Sequence, residues 1–196
     1  MPPVPAVRLD RCYTWADYLS WPEGERWEII QGVAYGMSAA PSTRHQDVCG
    51  KIYSRLEQQL RGHPCRPFVA PTAVKLSDIN VVEPDILVVC DRSTVTASHI
   101  EGAPDLIVEV LSPGTSAKDL RQKKALYEQS GVREYVVVDP LEHYAIRFLL
   151  GADGYDKGSV FASDEVLTFA TLEGVEVPLW EVFDLPGPGP ADRIAG

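Results

Sequence analysis

A carboxylate stands inside an apolar run at Pro104–Pro113, which has the sequence PDLIVEVLSP. Three apolar residues precede Glu109 and two follow it. A run that is apolar on both sides of one residue is typical of a strand buried on both faces. Because an unpaired buried carboxylate is strongly destabilising, Glu109 needs a proton, hydrogen bonds or a bound cation.

A second carboxylate, Asp85, follows Pro84 at the start of the preceding apolar strand. If the two strands are neighbours, the side chains of Asp85 and Glu109 converge on one ion. A pair of carboxylates suits a hard divalent cation such as Mg²⁺, which polarises a phosphodiester and helps to generate hydroxide. The alternative is that Asp85 ends a turn and Glu109 pairs with an arginine. Asp105 lies on the same strand face as Glu109 and could replace Asp85 as the ligand, but we interpret Asp105 as a strand-entry residue.

A phosphodiester hydrolase also needs a cation near the attacking water, and the helical segment DLRQKKALYEQ offers one. At ~100° per residue, Leu120, Lys123 and Tyr127 share one stripe of this helix, whereas Lys124 lies on its flank. A lysine on a packing face can extend its stem along apolar surface and bring its ammonium group to a carboxylate. We therefore predict that Lys123 reaches the site; the alternative is a snorkelling lysine at the edge of the stripe.

His45 and Glu28 are further candidates for the same cleft, together with Asp105. His45 lies three residues before Val48 on the apolar stripe of a long helix, where a hydrogen-bonded core histidine is the simpler interpretation. Glu28 lies in a hairpin strand, where it could also face water.

Periodicity and turn residues predict the elements that position these side chains. The step from PDLIVEVLS through its helix to EYVVVDP has the length of a βαβ crossover, which predicts parallel strands, whereas the shorter earlier links predict antiparallel ones. The fold class is therefore α/β or α+β with a mixed central sheet. The predicted elements are a helix in TWADYLSW, a hairpin from RWEII through Gln31-Gly32 to VAYGM, a helix from Ser42 with the stripe Val48, Ile52, Leu56 and Leu60, one interrupted strand or two strands in PFVAPTAVKL, strands in PDILVVCD and PDLIVEVLS, a helix in SAKDLRQKKALYEQSG capped by Ser116 and ended by Gly131, a buried strand in EYVVVDP, and outer strands in AIRFLL and LTFATL.

The length of 196 residues predicts one domain, which we place at residues 14–185. The N-terminal extension 1–13 and the Pro/Gly-rich tail 186–196 are expected to be poorly ordered. No apolar run approaches the ~20 residues of a membrane helix, and no secretory signal is visible at the start. Cys12, Cys49, Cys65 and Cys90 lack CxxC spacing, which argues against a zinc site and a disulfide framework and fits a reducing cytoplasm.

The chain has a formal net charge of −10 and a sequence pI near 4.8. A protein that binds nucleic acid through its phosphate groups usually has a basic surface. This chain should repel DNA at long range unless basic residues cluster locally or a bound cation intervenes. Neither GxSxG nor HExxH occurs, and the glycine pattern gives neither a P-loop nor a dinucleotide fingerprint.

Four segments together resemble the Uma-type family of predicted restriction endonucleases, within the PD-(D/E)XK superfamily with its restriction endonuclease-like core. They are RWEIIQGVAYGMSAAPSTRHQDV, VVEPDILVV, GAPDLIVEVLSPGTSAKDLRQKKALYEQSGVREYVVVDP and the weaker DGYDKGSVFASDEVLTFATL. The resemblance spans nearly the whole chain, and its long third segment is specific.

The resemblance implies that Asp85 and Glu109 are ligands of Mg²⁺ or Mn²⁺, in a mixed sheet flanked by helices, and it suggests a homodimer. The superfamily lysine should stand two residues after the glutamate, where this chain has Leu111. In this family the lysine comes from the following helix, which again indicates Lys123. Glu28 and His45 match family positions near the cleft.

The first hypothesis is therefore a metal-dependent endonuclease that cuts nucleic acid, with DNA favoured and the Val110 carbonyl as an added metal ligand. The second is a nuclease-fold binding module that acts through a protein partner, which the acidic balance favours. A third, a hydrolase of small phosphoesters, fits the charge but has no pocket signature in the sequence.

Overall fold

The computed structural model describes residues 11–22, 24–37, 41–112 and 119–189. Within these ranges the helices are α1 (Trp15–Ser20), α2 (Thr43–Gln59), α3 (Lys124–Ser130) and α4 (Leu179–Phe183), with a 3-10 turn at Arg92–Thr94 and a π-helical turn at Asp119–Lys123 that runs into α3. The strands are β1 (Trp27–Ile30), β2 (Val33–Gly36), β3 (Arg66–Val69), β4 (Val74–Ser77), β5 (Asn80–Val82), β6 (Ile86–Val89), β7 (Ile100–Glu101), β8 (Leu106–Val110), β9 (Glu134–Asp139), β10 (Tyr144–Gly151), β11 (Gly154–Tyr155), β12 (Ser159–Phe161), β13 (Val166–Thr168) and β14 (Glu176–Pro178).

The central sheet is mixed, as the sequence predicts. Its strand order is β11-β10-β9-β8-β6-β3, and β12 pairs with β10. β8 and β9 are parallel, and the π-helical turn and α3 lie in the crossover between them, while β6 pairs antiparallel with both β3 and β8. Gly131, at φ 84°, ends α3 in the left-handed conformation that glycine adopts without strain. The predicted mixed α+β fold is confirmed.

The inner strands β6 and β8 are buried on both faces, which explains their nearly continuous apolar sequences. On one face, even-numbered residues such as Val88 and Val108 pack with the α2 stripe of Val48, Ile52 and Leu56. On the other face, odd-numbered residues such as Leu87 and Ile107 pack with Leu126 and Tyr127 of α3. The helices therefore cover opposite faces of the central sheet.

A smaller sheet of order β2-β1-β5-β4-β7 carries the predicted hairpin. Its turn at Gln31 (φ 51°) and Gly32 (φ 77°) has two positive φ values, the geometry that matches strand twist in a two-residue hairpin loop. A side chain at position 32 would also collide with the sulfur of Cys12. Tyr13 is buried beside this sheet and donates its N–H to the Gly32 carbonyl, so the packed chain includes a residue just before the predicted boundary at 14.

The C-terminal elements hold α2 in place. Asp184 accepts hydrogen bonds from Lys51 at 2.6 Å and from Arg44 at 3.3 Å, and Glu181 of α4 pairs with Arg55 of α2. LTFATL contributes β13, which pairs with β14 in a separate two-stranded sheet. Residues 166–184 are thus part of the folded domain.

Cys65 and Cys90 form a disulfide, which corrects the prediction that the cysteines make none. They flank the β3–β6 pairing, in which Arg66 lies opposite Val89, so the antiparallel register brings the two sulfurs together. The spacing of the cysteines in the sequence carries no sign of this contact because it depends on strand register.

The predicted Ser116 cap and most of the N-terminal extension and the C-terminal tail lie outside the described residues. In the described part of the chain, every helix is too short or too polar to span a lipid bilayer.

Candidate active site

Asp85 directly before β6 and Glu109 in β8 lie on neighbouring antiparallel segments of the chain. Ile86 of β6 lies opposite Val108 of β8, and one further step of this register pairs Asp85 with Glu109. Asp85 directly precedes β6, and its carbonyl accepts the N–H of Ala70, which holds the end of the strand in place. The register therefore places the two acidic positions side by side at one end of the strand pair.

Lys123 brings its ammonium group to the buried glutamate. Its Nζ lies 2.7 Å from Oε1 of Glu109 and 2.9 Å from Oε1 of Glu28, and the Lys123 residue is only 3 % exposed. Lys123 is the last residue of the π-helical turn, so the wider turn positions the amine against the sheet. Two buried carboxylates therefore share one buried cation, which compensates part of their desolvation.

Tyr127, for which the sequence predicted no role in the site, contacts the same Oε1 of Glu109 as Lys123. Its hydroxyl donates to Oε1 of Glu109 at 2.7 Å, one helical turn beyond Lys123. Burial raises the pKa of Tyr127 well above its usual range, and the nearby charges of Glu109 and Glu28 act in the same direction. Tyr127 therefore remains a hydrogen-bond donor. Its place on the Lys123 stripe was the available signal in the sequence.

Glu28 is buried rather than facing water. Besides Lys123, its Oε1 accepts the backbone N–H of Glu83 at 3.2 Å. Glu83 is itself fixed by Tyr18, whose hydroxyl donates at 2.9 Å, and by Arg26 at 2.8 Å. These bonds tie the small sheet to the central one at the site.

His45 of α2 contacts Asp85. Its Nε2 is 3.2 Å from Oδ2 of Asp85, and the same oxygen accepts the N–H of Val110 at 2.9 Å. The Nδ1 of His45 is 3.6 Å from the sulfur of Cys49, one turn further along α2. Burial, with the charges of Asp85 and Glu109, raises the pKa of the Cys49 thiol. Cys49, a residue of α2 that packs in the core, thus also borders this polar group.

Asp105 and Leu111 contribute differently. The carboxylate of Asp105 accepts the N–H of Cys90 at 2.6 Å and pairs with Arg133, so it links the ends of β6 and β9. These contacts agree with the interpretation of Asp105 as a strand-entry residue. Leu111 is 7 % exposed and packs in the apolar cluster beside α3.

The charges of the group fit a divalent cation. Glu28, Asp85 and Glu109 supply three carboxylates, and Lys123 supplies one ammonium group, so acidic groups outnumber the lysine. Carboxylate oxygens are the ligands that Mg²⁺ and Mn²⁺ prefer. Asp85, whose side chain is 20 % exposed, gives the group access to solvent and substrate.

Comparisons with known proteins agree with this fold. The family Uma2, described as "Putative restriction endonuclease", matches residues 15–180. The uncharacterized protein slr1290 of Synechocystis sp. (strain ATCC 27184 / PCC 6803 / Kazusa) is 29 % identical over 128 residues, a match that spans 62 % of this chain and 66 % of the relative. The crystal structure of a "putative nuclease belonging to DUF820" from Anabaena variabilis ATCC 29413 gives a TM-score of 0.73 at 19 % identity, over 87 % of this chain and 97 % of that chain.

Proposed function

This chain belongs to the Uma2 family of restriction endonuclease-like proteins, and on that premise we propose that it is a metal-dependent endonuclease. Its reaction would be the hydrolysis of phosphodiester bonds in nucleic acid, with DNA as the substrate. The observation that supports the proposal is the buried contact of Lys123 with Glu109, beside the position that the strand register gives to Asp85. Asp85 and Glu109 come from paired strands, and the Nζ of Lys123 lies 2.7 Å from Glu109.

Asp85 and Glu109 would hold Mg²⁺ or Mn²⁺, with the Val110 carbonyl as a further oxygen ligand. Such an ion supplies Lewis acidity toward the phosphodiester and lowers the pKa of bound water. Hydrogen bonds within the chain would orient the two carboxylates before an ion binds. The N–H of Val110 and the imidazole of His45 fix one oxygen of Asp85, and Lys123 and Tyr127 fix one oxygen of Glu109.

Lys123 would orient the attacking water and balance the negative charge that develops on the phosphate. A fixed cation in a site shielded from water stabilises such charge without reorganising during the reaction. The π-helical turn allows a helix to supply this amine, while Leu111 occupies the strand position where the superfamily has its lysine. Glu28 and Tyr127 are positioning residues, because they hold Lys123 and Glu109 rather than the reacting atoms.

The acidic chain constrains how DNA could bind. With a net charge of −10, long-range attraction to phosphate is absent, so binding should depend on the divalent ion at the site. A homodimer, suggested by the resemblance to related nucleases, would place two sites on one substrate and is part of the proposal.

A supercoiled-plasmid assay with Mg²⁺ or Mn²⁺ tests the proposal. The wild type should nick the plasmid, and the variants Asp85→Asn and Glu109→Gln should not. The catalytically neutral control is Asp105→Asn, because Asp105 contacts Cys90 and Arg133 instead of Lys123. Equal nicking by the wild type and both site variants, or no nicking by any of them with either ion, would contradict the proposal.

The acidic balance also favours a second candidate, a binding module that retains the nuclease fold and engages a protein partner. Calorimetric titration with Mn²⁺ separates the two. A module of this kind would bind no Mn²⁺ and would bind a basic protein partner tightly. A nuclease would bind Mn²⁺ through Asp85 and lose this binding in Asp85→Asn.

A further inference from the structure

A nitrogen, a sulfur and an oxygen ligand meet beside the proposed catalytic ion. The ligand atoms of His45, Cys49 and Asp85 all lie within 4.8 Å of one another. His45 and Cys49 are four residues apart on α2 and therefore share one helix face, and Asp85 reaches them from the start of β6. Two different elements thus contribute to one compact donor set.

The dimensions of this cluster suit a single small ion. Zinc lies about 2.0–2.3 Å from its nitrogen, oxygen and sulfur ligands, so two ligands of one tetrahedral ion are about 3.3–3.8 Å apart. The Nε2 of His45 is already 3.2 Å from Oδ2 of Asp85. The ligand atom of Cys49 lies within 4.8 Å of the other two, so a movement of at most about 1.5 Å by its side chain would complete a three-ligand arrangement of this size.

The donor types distinguish this cluster from a magnesium site. Thiolate and imidazole ligands select borderline metals such as Zn²⁺, Co²⁺ or Fe²⁺, whereas Mg²⁺ takes oxygen ligands. The cluster is also well enclosed, since His45 is 6 % and Cys49 is 3 % exposed, while the more open Asp85 leaves a route for entry. Three protein ligands leave one position for water or substrate, the composition of a reactive rather than a purely structural zinc site.

We propose that His45, Cys49 and Asp85 form a binding site for one borderline divalent transition-metal ion. The Cys49 thiol gives up its proton to solvent when the ion binds, because a coordinating thiol is deprotonated by the metal. Asp85 is shared with the ion of the proposed nuclease, but the site itself does not require nuclease activity. Occupation by a thiolate-binding metal would therefore compete with Mg²⁺ for Asp85.

Cobalt spectroscopy of the full chain tests this site directly. Titration of the wild type with Co²⁺ should give one equivalent of binding, with a sulfur-to-cobalt charge-transfer band in the near ultraviolet and the visible bands of a tetrahedral ion. The variant Cys49→Ser should lose the charge-transfer band. His45→Ala should lose the tetrahedral spectrum, with circular dichroism as the check on folding.

The other cysteines provide matched controls. Cys12 is a free, exposed cysteine, and Cys65 and Cys90 are joined in the disulfide. Cys12→Ser and the double variant Cys65→Ser/Cys90→Ser should retain the charge-transfer band. A wild type without the band would overturn the proposal, and so would a band that persists in Cys49→Ser. Neither result depends on plasmid nicking, so failure of this proposal is distinguishable from failure of the nuclease proposal.

Discussion

The ammonium group of Lys123 lies 2.7 Å from the carboxylate of Glu109, although one residue ends a π-helical turn and the other lies inside a buried strand. Glu28 joins the same ammonium group from the smaller sheet. This three-way contact links both sheets and the crossover helix, so changes in it should affect stability and catalysis together.

Replacing Lys123 by methionine should destabilise the protein and strongly slow nicking. Removing one partner of a buried ion pair costs about 3–5 kcal/mol, because the remaining charge is left without compensation. Loss of a fixed cation near the developing phosphate charge should lower the nicking rate by about 10²-fold or more. Urea unfolding and the plasmid assay measure the two effects.

The neighbouring lysine is the matched control for this change. The Nζ of Lys124 lies 3.7 Å from the centroid of the Phe148 ring, away from the carboxylates. Lys124→Met should therefore cost only about 0.5–1 kcal/mol and leave nicking intact. If the two methionine variants behaved alike, Lys123 would have no special role.

Replacing Tyr127 by phenylalanine should weaken Mn²⁺ binding as well as stability. The change removes the hydrogen bond to Oε1 of Glu109, which is worth about 1.5–3 kcal/mol for a charged acceptor. Glu109 then loses one of the contacts that orient it for the proposed ion. The control Tyr155→Phe removes a hydroxyl that donates to the Val132 carbonyl at 2.8 Å. Calorimetry should show weaker Mn²⁺ binding in the first variant only; unchanged binding in both would make Tyr127 purely structural.

Tyr155 should make stability fall at alkaline pH. Burial, and then the charge of Glu128, raises the pKa of Tyr155 in the folded protein above its unfolded value of about 10. The neutral phenol therefore stabilises the fold fully below about pH 10, and this contribution is lost as pH rises toward the folded pKa. Tyr155→Phe should be less stable at pH 7 by about 0.5–1.5 kcal/mol.

Above pH 10 the wild type should lose stability relative to Tyr155→Phe by about 1.4 kcal/mol per pH unit, so that the variant becomes the more stable protein within about one unit. Urea unfolding at several pH values between 7 and the alkaline limit of folding measures this difference. Parallel stability curves for the two proteins would show that Tyr155 does not titrate differently in the folded and unfolded chains.

A lysine at position 111 should partly replace Lys123. Residues 109 and 111 point to the same side of an extended chain, and Leu111 continues the pairing of β8 through its N–H bond to the Val138 carbonyl. An amine placed there could reach Glu109 from the strand. The double variant Leu111→Lys/Lys123→Ala should therefore nick plasmid faster than Lys123→Ala alone. No gain over the single variant would show that the helix is the required origin of the amine.

The contact of Lys123 with Glu109 could be anticipated from the sequence because each of these two residues breaks a local pattern. Glu109 interrupts a buried apolar run, and Lys123 lies on a packing stripe, so both have a physical cost that needs a partner. The parallel crossover followed from its length. These features depend on neighbours within one element or on one short connection.

Contacts that depend on register between distant elements could not be predicted in this way. The burial of Glu28 depends on the docking of the small sheet against the crossover helix, and the Cys65–Cys90 disulfide depends on which residues of β3 and β6 face each other. The approach of Cys49 to Asp85 requires both the face of α2 and its placement over β6. The π-helical turn likewise lacks a distinctive composition.

The contacts of α4 with α2 mean that the far end of the chain helps to set the position of His45. Arg44, the residue next to His45, and Lys51 both bind Asp184, which lies beyond the part of the chain that the family match covers. A shortened protein that stops at the family boundary would keep Glu28, Asp85 and Glu109 but lose the contacts of Asp184 with α2. Such a truncation would alter the cleft from a distance, because α2 could tilt and carry His45 with it.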